Sequence, residues 1–184
     1  TSVDTYWRAS AAAEHGMENS FAGSPDEAVV ELERLIRRAL GGQMIADVPL
    51  GAFLSGGVDS SAIAALMQTM SSRPIRTFTI GFEQASYNEA VYAKEVARHL
   101  GTNHTEMYVS DREALEVVPT LPYVYCEPFS DSSQIPTLLV SKLARQNVTV
   151  ALSGDGGDEL FSGYTRYVLA DEVWAKLSRI PRPL

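Results

Sequence analysis

Two short segments of this chain share one design, in which Leu-Ser-Gly directly follows an apolar run. The first, Leu54 to Ser61, reads LSGGVDSS, and the second, Leu152 to Glu159, reads LSGDGGDE. Glycines let a backbone turn tightly and bring its amide groups close to a ligand. Two loops of this kind, each after a predicted strand, constrain the chain to a fold in which strand ends meet at one binding edge.

The segments around these loops alternate between strand-like and helix-like patterns. Strands are predicted at 52–54, 75–82, 104–109 and 148–152, and helices at 24–40, 60–70, 88–100, 111–118, 135–145 and 165–177. This order predicts an α/β fold, a doubly wound parallel sheet of about four to five strands with helices on both faces. The run 148–152 is typical of a buried parallel strand. Ligands of such sheets bind beyond the carboxyl ends of the strands, where strand order reverses.

The first loop has the composition of a phosphate site. Its glycines, Gly56 and Gly57, and the amide groups that open the next helix suit an oxyanion, and Ser55 and Ser60 add hydroxyl donors. Asp59 would repel a phosphate unless a cation lay between them, so it implies Mg²⁺. The loop lacks the Gly-Lys-Ser/Thr of a P-loop and the GxGxxG of a dinucleotide fold. The alternative is a tight strand-to-helix turn with polar filler.

The second loop places three carboxylates and three glycines in seven residues, 153–159. A divalent ion or a cationic partner would relieve that concentration of negative charge. The alternative is a solvated acidic loop that caps a helix beginning near Glu159; the spacing of an EF-hand is not matched. If the two loops face each other, the amides of one would hold a pyrophosphate while Asp59 and Asp158 hold its Mg²⁺.

Composition narrows the class of protein. A formal net charge of −8 and a pI of about 4.9 argue against nucleic acid or an anionic membrane as the main partner. Cys126 is the single cysteine, which excludes an internal disulfide and a cysteine zinc cluster. No apolar run approaches the roughly 18 residues of a spanning helix, and no signal peptide is recognised. We therefore expect a cytoplasmic domain.

These motifs resemble the synthetase domain of glutamine-dependent asparagine synthetases, within the wider group of PP-loop ATP pyrophosphatases that share SGG-x-DS. The resemblance covers about 26–167, including DVPLG at 47–51, FTIGF at 78–82 and LSGDGGDELFSGYTRY at 152–167. The first loop marks the broad group, and the second marks the asparagine synthetase branch. The resemblance implies an adenine nucleotide alpha-hydrolase-like fold. It also implies adenylation of aspartate or a similar carboxylate by Mg²⁺-ATP, release of pyrophosphate, and amide formation with ammonia from a glutaminase domain.

The resemblance further implies roles for individual residues. Pyrophosphate would be held by Ser55, Gly56, Gly57, Asp59, Ser60 and Ser61, and Mg²⁺ by Asp59 and Asp158. Leu54 and Ile80 would flank the adenosine, with Ser153 and Gly154 touching the nucleotide. Asp155 stands where family members have Glu, the acid that positions or deprotonates ammonia, and its side chain is one methylene shorter. The expected catalytic residues are therefore Asp155, Asp59 and Asp158.

The domain prediction follows from the same resemblance. Residues 1–23 are predicted to be a linker or strap from an amidotransferase domain, and 24–184 a synthetase domain truncated at its C-terminus. The family's nucleophilic cysteine and its late catalytic lysine have no counterpart in the sequence, so we expect nucleotide binding without independent turnover. A second copy of the chain, in a homodimer, is one of the possible partners. The alternatives are a β-lactam synthetase-like or other amide-forming enzyme, a tRNA-modifying member of the broad group, and a non-catalytic nucleotide-binding domain.

Three further features leave alternatives open. The segment 121–133 is predicted to be a long loop, whose part 127–133 is a candidate wall of an amino-acid site. Arg166 either contacts phosphate or lies on a helix surface. His104 either lines the cleft or belongs to the interior of a strand.

Overall fold

The computed structural model describes residues 4–84, 88–127 and 130–178. The chain divides between Gly42 and Gln43 into two compact units. The first unit holds helix α1 (Ala9–Glu18) and nearly all of helix α2 (Pro25–Gln43). The second holds a four-stranded sheet and seven further α-helices within the described residues.

Both helices of the first unit differ from expectation. No regular structure was predicted for 1–23, yet the alanine-rich run Ala9–Glu18 is helical, in keeping with the high helix propensity of alanine. α2 begins with a capping box: Glu27 N–H donates to Ser24 Oγ at 3.3 Å, and Ser24 N–H donates to Glu27 Oε2 at 2.8 Å. We expected α2 to end at the glycine pair 41–42. It continues to Gln43, because glycine weakens a helix without forbidding helical backbone angles.

The sheet confirms the predicted parallel α/β architecture. Its strands are β1 (Leu50–Phe53), β2 (Arg76–Phe82), β3 (Asn103–Val109) and β4 (Val150–Leu152). Their order is β3-β2-β1-β4, and every pairing is parallel. All four lie within two residues of the predicted bounds.

The helices of the second unit are α3 (Val58–Met70), α4 (Ala90–Leu100), α5 (Asp111–Val117), α6 (Leu121–Tyr125), α7 (Gln134–Arg145), α8 (Gly157–Phe161) and α9 (Thr165–Leu177). The prediction of a loop over 121–133 was wrong for its first five residues, which form α6. Pro122 lies in the first turn of that helix, where a backbone N–H has no intrahelical partner, so the N–H that proline lacks is not missed. No helix in the described parts of the chain is both long and apolar enough to cross a membrane.

The connections place helices on both faces of the sheet. From β1 the chain passes through α3 to β2 and through α4 to β3, moving towards one edge, and then returns through α7 to β4 beyond β1. Right-handed crossovers in opposite directions put their helices on opposite faces. Phe78 of β2 forms a buried core with Leu143 and Ala144 at the end of α7 and with Val148 just before β4. The order of the strands therefore reverses between β1 and β4.

The expectation that β4 is a buried strand was wrong. Among the described residues β4 pairs only with β1 and lies at the edge of the sheet. Val150 is consequently 38% exposed, whereas Val148, just before the strand, is buried in the core beneath β2. The apolar run reflects packing of its first residue against α7, and periodicity cannot distinguish that arrangement from a central strand.

Candidate functional site

The two Leu-Ser-Gly loops begin side by side at the reversal of strand order. β1 and β4 are neighbours in register, Ala52 beside Leu152, and each strand leads directly into its loop. The main chains of the loops touch: a methyl group at Gly154 would lie 2.6 Å from Ser60 N and 2.9 Å from the carbonyl carbon of Asp59. Only glycine fits this contact, so the second loop lies directly on the start of α3.

The first loop is organised by two serine hydroxyls. Ser60 Oγ accepts a hydrogen bond from Ser55 N–H at 3.2 Å and lies 2.9 Å from Ser55 Oγ. Gly57, the N-cap of α3, offers no side chain to the amide groups of the first helical turn. These groups have no intrahelical partner and are aligned for an anion. Gly56 has a φ of +84° and lies against the backbone of Tyr92, which fixes the loop beside α4.

The second loop is held by two hydrogen bonds within it. Ser153 Oγ donates to Asp155 Oδ2 at 3.0 Å, and Gly157 N–H donates to the Gly154 carbonyl at 3.2 Å. Gly156 has a φ of +94° and precedes α8. The Asp155 side chain is exposed, so one of its carboxylate oxygens remains for a ligand.

Of the predicted magnesium ligands, Asp59 lies against Gly157 of the second loop, and Asp158, within that loop, lies against Gly163. A methyl group at Gly157 would come within 2.5 Å of Asp59 Cγ, and one at Gly163 would overlap the Asp158 carboxylate. Within the described residues no three His, Cys, Asp or Glu side chains converge as a metal-ligand group. Two carboxylates that leave the other positions to phosphates and water are what Mg²⁺ uses in nucleotide sites. The residues present therefore fit Mg²⁺ bound together with a nucleotide.

A cavity of about 880 Å³ opens where the two loops meet. Nine of the predicted site residues line it: Leu54, Ser55, Asp59, Ser60, Ile80, Ser153, Gly154, Asp155 and Asp158. Gly56, Gly57 and Ser61 do not line it. The Ser61 hydroxyl is buried and has no hydrogen-bond partner among the described residues.

The rest of the cavity wall comes from residues outside the predicted set. Phe53, Phe78 and Phe82 come from β1 and β2, and Pro136, Thr137 and Val140 from α7. The aromatic residues fall in or beside predicted strands, and no site role was predicted for them. Pro136, Thr137 and Val140 belong to no recognisable sequence motif, and it is the packing of α7 on the sheet that brings them to the cavity. The segment 127–133 contributes Asp131 and Ser133, while Pro128 and Phe129 lie outside the described residues.

The cavity is strongly acidic. Among the described residues, its lining includes six carboxylates and one basic side chain, that of Arg166; the acidic residues are Asp59, Glu89, Asp131, Asp155, Asp158 and Glu159. Tyr164 O–H donates to Glu159 Oε1 at 2.7 Å, which lowers the pKa of Glu159 and raises the pKa of Tyr164 to about 12. The Arg166 guanidinium carbon lies 4.4 Å from the centre of the Tyr164 ring. Arg166 also lines the cavity, and its contact with phosphate stays a prediction.

His104 belongs to β3, and its ring contacts the neighbouring strand β2. Its Nδ1 is 2.9 Å from Thr77 Oγ1, which in turn is 2.8 Å from Thr102 Oγ1. His104 Nε2 is buried without a hydrogen-bond partner among the described residues, and burial lowers the pKa of this imidazole. His104 does not line the cavity. Its role is structural in this geometry.

Comparison with solved structures gives low overall similarity. The chain has a TM-score of 0.47 and 11% identity with an NH₃-dependent NAD synthetase from Campylobacter jejuni, over 77% of this chain and 61% of that one.

Comparison of sequences identifies the family. Residues 31–184 match the family model described as asparagine synthase. The chain is 43% identical over 141 residues to a glutamine-hydrolyzing asparagine synthetase 2 of Methanocaldococcus jannaschii, and 39% identical over 142 residues to the glutamine-hydrolyzing asparagine synthetase 1 of Bacillus subtilis. These matches cover 76% and 77% of this chain but only 27% and 22% of the relatives, so the chain spans about a quarter of their length. On the match over residues 31–184, the chain belongs to the asparagine synthase family.

Proposed function

We propose that this chain binds Mg²⁺-ATP and adenylates a carboxylate, and that the acyl-adenylate then reacts with ammonia to form an amide. The observation that carries this proposal is the contact between the two Leu-Ser-Gly loops at the reversal of strand order, with Asp59 and Asp158 beside it. Relatives named glutamine-hydrolyzing asparagine synthetases support aspartate as the acid and glutamine as the source of ammonia. We place the activity in the cytoplasm.

The first loop would bind the pyrophosphate end of ATP. The uncapped amide groups of α3 and the paired hydroxyls of Ser55 and Ser60 are donors on one side of the cavity. Asp59 and Asp158 would hold Mg²⁺, which when bound neutralises charge on the triphosphate. Leu54 and Ile80 offer an apolar wall for the adenosine.

The chemical steps need positioning more than covalent participation by the protein. The substrate carboxylate attacks the α-phosphorus, the bond to the β-phosphate oxygen breaks, and pyrophosphate leaves. Ammonia then attacks the acyl carbon, the bond to the phosphate oxygen breaks, and AMP leaves. Asp155 would accept the proton that the attacking nitrogen loses, through the oxygen that Ser153 does not engage.

The test is a calorimetric titration of ATP with and without Mg²⁺ on the wild-type chain, on Asp59→Asn and on the control Asp47→Asn. Asp47 is exposed and lies outside the cavity. We expect Mg²⁺-dependent binding that Asp59→Asn weakens at least about tenfold, or about 1.4 kcal/mol, and that the control preserves. Binding without dependence on Mg²⁺ or Asp59 would contradict the proposed site. Mg²⁺-ATP binding without aspartate-dependent release of pyrophosphate would support a different acid or a non-catalytic domain.

A further inference from the structure

A second cavity opens at the other end of the sheet from the Leu-Ser-Gly loops. Leu50, the first residue of β1, and Arg76, the first residue of β2, both line it, so we call it the amino-end cavity. Its volume is about 370 Å³, within the roughly 300–1,000 Å³ of small-molecule sites. All of its lining residues belong to the second unit. The length of β1, about 13 Å at 3.3 Å per residue, separates it from the first loop.

The walls of the amino-end cavity are apolar. They are formed by Met44, Leu50, Met67 and Ile75, with two prolines beside them. Met67 is 1% exposed and Ile75 is 7% exposed, so the inner wall belongs to the core of the second unit. Methionine side chains adapt their shape to the groups that they contact. The cavity can therefore accommodate the apolar body of a small molecule.

Two arginines give the amino-end cavity its charge. Arg73 and Arg76 line it, and none of its described lining residues is acidic. The whole chain has a formal net charge of −8, and six carboxylates line the cavity at the loops, so the sign of the charge is locally reversed here. Guanidinium groups beside an apolar wall favour a ligand that carries a carboxylate, because their planar N–H groups match its two oxygens.

The main chain that carries Arg73 is held in place by hydrogen bonds. The Arg73 carbonyl accepts from Gln68 Nε2 at 3.2 Å and from Ser71 Oγ at 2.8 Å, and Ile75 N–H donates to Gln68 Oε1 at 2.9 Å. The Arg73 guanidinium, in contrast, has no hydrogen bond or salt bridge within the described parts of the chain. Arg76 donates through Nη1 to the Asn147 carbonyl. The turn thus places one unpaired guanidinium beside a second that is already oriented.

We propose that the amino-end cavity binds a small organic acid, a monocarboxylate with an apolar aliphatic or aromatic body. The carboxylate would accept hydrogen bonds from Arg73 and from the N–H groups of Arg76 that Asn147 does not engage. The apolar body would lie against Leu50 and Met67. An amino acid fits less well, because its ammonium group finds no carboxylate among the described lining residues and is repelled by both arginines. This site goes beyond the proposed function and does not depend on it.

The test compares four probes by NMR titration of the wild-type chain labelled with ¹³C at its methionine methyl groups. 3-Phenylpropanoate carries the carboxylate and the apolar body, 3-phenylpropanamide lacks the charge, propanoate lacks the ring, and L-phenylalanine adds an ammonium group. We expect 3-phenylpropanoate to bind about tenfold more tightly than each of the other three, since charge-assisted hydrogen bonds and apolar burial both contribute. The methyl signals of Met44 and Met67 should shift, whereas those of Met17 and Met107, which lie outside the cavity, should not.

The arginine variants test the source of the preference for a carboxylate. Arg73→Gln should lower the affinity for 3-phenylpropanoate at least about fivefold and leave that for 3-phenylpropanamide unchanged. Arg73→Lys keeps the charge without the planar fork and should give an intermediate loss. Arg76→Gln should act in the same direction, and urea unfolding shows whether losing its bond to Asn147 also destabilises the chain. Arg112→Gln, exposed on α5 and outside the cavity, is the matched control.

The outcomes distinguish this site from the nucleotide site. Equal affinities for 3-phenylpropanoate and its amide, wild-type preference in Arg73→Gln, or shifts confined to methionines outside the cavity would each overturn the proposal. Asp59→Asn should bind the acid as the wild type does; loss of binding in that variant would assign the acid to the cavity at the loops and overturn it also. Acid binding in a wild-type chain that does not bind Mg²⁺-ATP would overturn the proposed function alone.

Discussion

The main chain of Gly154 lies against the main chain of Ser60, so the two loops of the candidate site meet backbone to backbone. Such a contact fixes the distance between the loops more tightly than a pair of side chains would, because backbone atoms cannot rotate away. The geometry of a nucleotide site that spans both loops therefore depends on the absence of a Cβ atom at Gly154.

Gly154→Ala should damage both stability and nucleotide binding. The added Cβ would lie 2.6 Å from Ser60 N and 3.0 Å from Ser60 Cα, so one loop must move. We expect a loss of about 1–3 kcal/mol in the free energy of unfolding, as for other overpacked sites, and at least a tenfold loss of Mg²⁺-ATP affinity. Urea unfolding and calorimetry measure these effects.

Gly42→Ala is the matched control for that substitution. A Cβ there meets no atom within 4 Å, and the residue lies in α2. We expect it to stabilise the chain by up to about 1 kcal/mol, through higher helix propensity. If both alanine variants had the same stability, the contact between the loops would not be a constraint.

Gly157→Ala should separate metal binding from stability. Its Cβ would meet the Asp59 carboxylate, with contacts of 2.5 to 2.9 Å, and a side chain can rotate where a backbone cannot. We expect a change below about 1 kcal/mol in unfolding free energy, as for a surface substitution, but a clear increase in the Mg²⁺ concentration needed for ATP binding. Titration of Mg²⁺ at fixed ATP measures that shift. An unchanged Mg²⁺ requirement would argue that Asp59 lies in another position when nucleotide is bound.

His104 should make folding stability depend on pH on the acidic side. Burial lowers its pKa in the folded chain, so the unfolded chain binds more protons in the interval between the folded pKa and the ordinary value near 6.5. Its stabilising contribution is present above pH 6.5 and is lost as the pH falls through the folded pKa. Urea unfolding between pH 7.5 and 5 should show a steeper loss for wild type than for His104→Gln. The exposed His99→Gln should keep the wild-type slope; equal slopes in all three would refute this assignment.

Tyr164 should titrate later than an ordinary tyrosine. Donation to Glu159 raises its pKa to about 12, above the ordinary value of 10.0, so its contribution to stability is complete below pH 10. The contribution is lost as the pH rises from 10 towards 12. Absorbance at the phenolate wavelength should show a late-ionising group in wild type that Tyr164→Phe removes. Tyr123→Phe, at a position 87% exposed, should leave that late phase intact; its persistence in Tyr164→Phe would assign it to another residue.

The alternation of strand-like and helix-like segments along the chain was enough to predict the strands. A parallel strand and the helix that follows it have different hydrophobic periodicities. The glycine loops were enough to place the site at strand ends. Helix α1 and the end of α2 were missed because propensity is a weak guide where few apolar residues are buried, and the glycine pair 41–42 fits helical angles. The edge position of β4 depends on strand order, which no local pattern encodes.

The cavity wall was harder to predict than its loops. Thr137 and Val140 reach the cavity through packing of α7 on the sheet, and nothing in their neighbourhood along the chain signals a ligand. The sequence left two interpretations of Arg166 open, and only the fold shows that its guanidinium stacks on the Tyr164 ring and lines the cavity. Charge balance within a cavity is a property of the assembled fold, so the excess of carboxylates emerges only there.

The pairing of β1 with β4 also sets the order in which the site can form. Residue 50 pairs with residue 150, whereas the β2–β3 pairing begins between residues 76 and 103. Contacts distant in sequence form late, because a long loop must close before they stabilise the chain. A chain emerging from the ribosome would thus build the β1-β2-β3 half with the first loop, and the second loop would join it only after β4 is made. Nucleotide capture would then report that β4 has paired with β1.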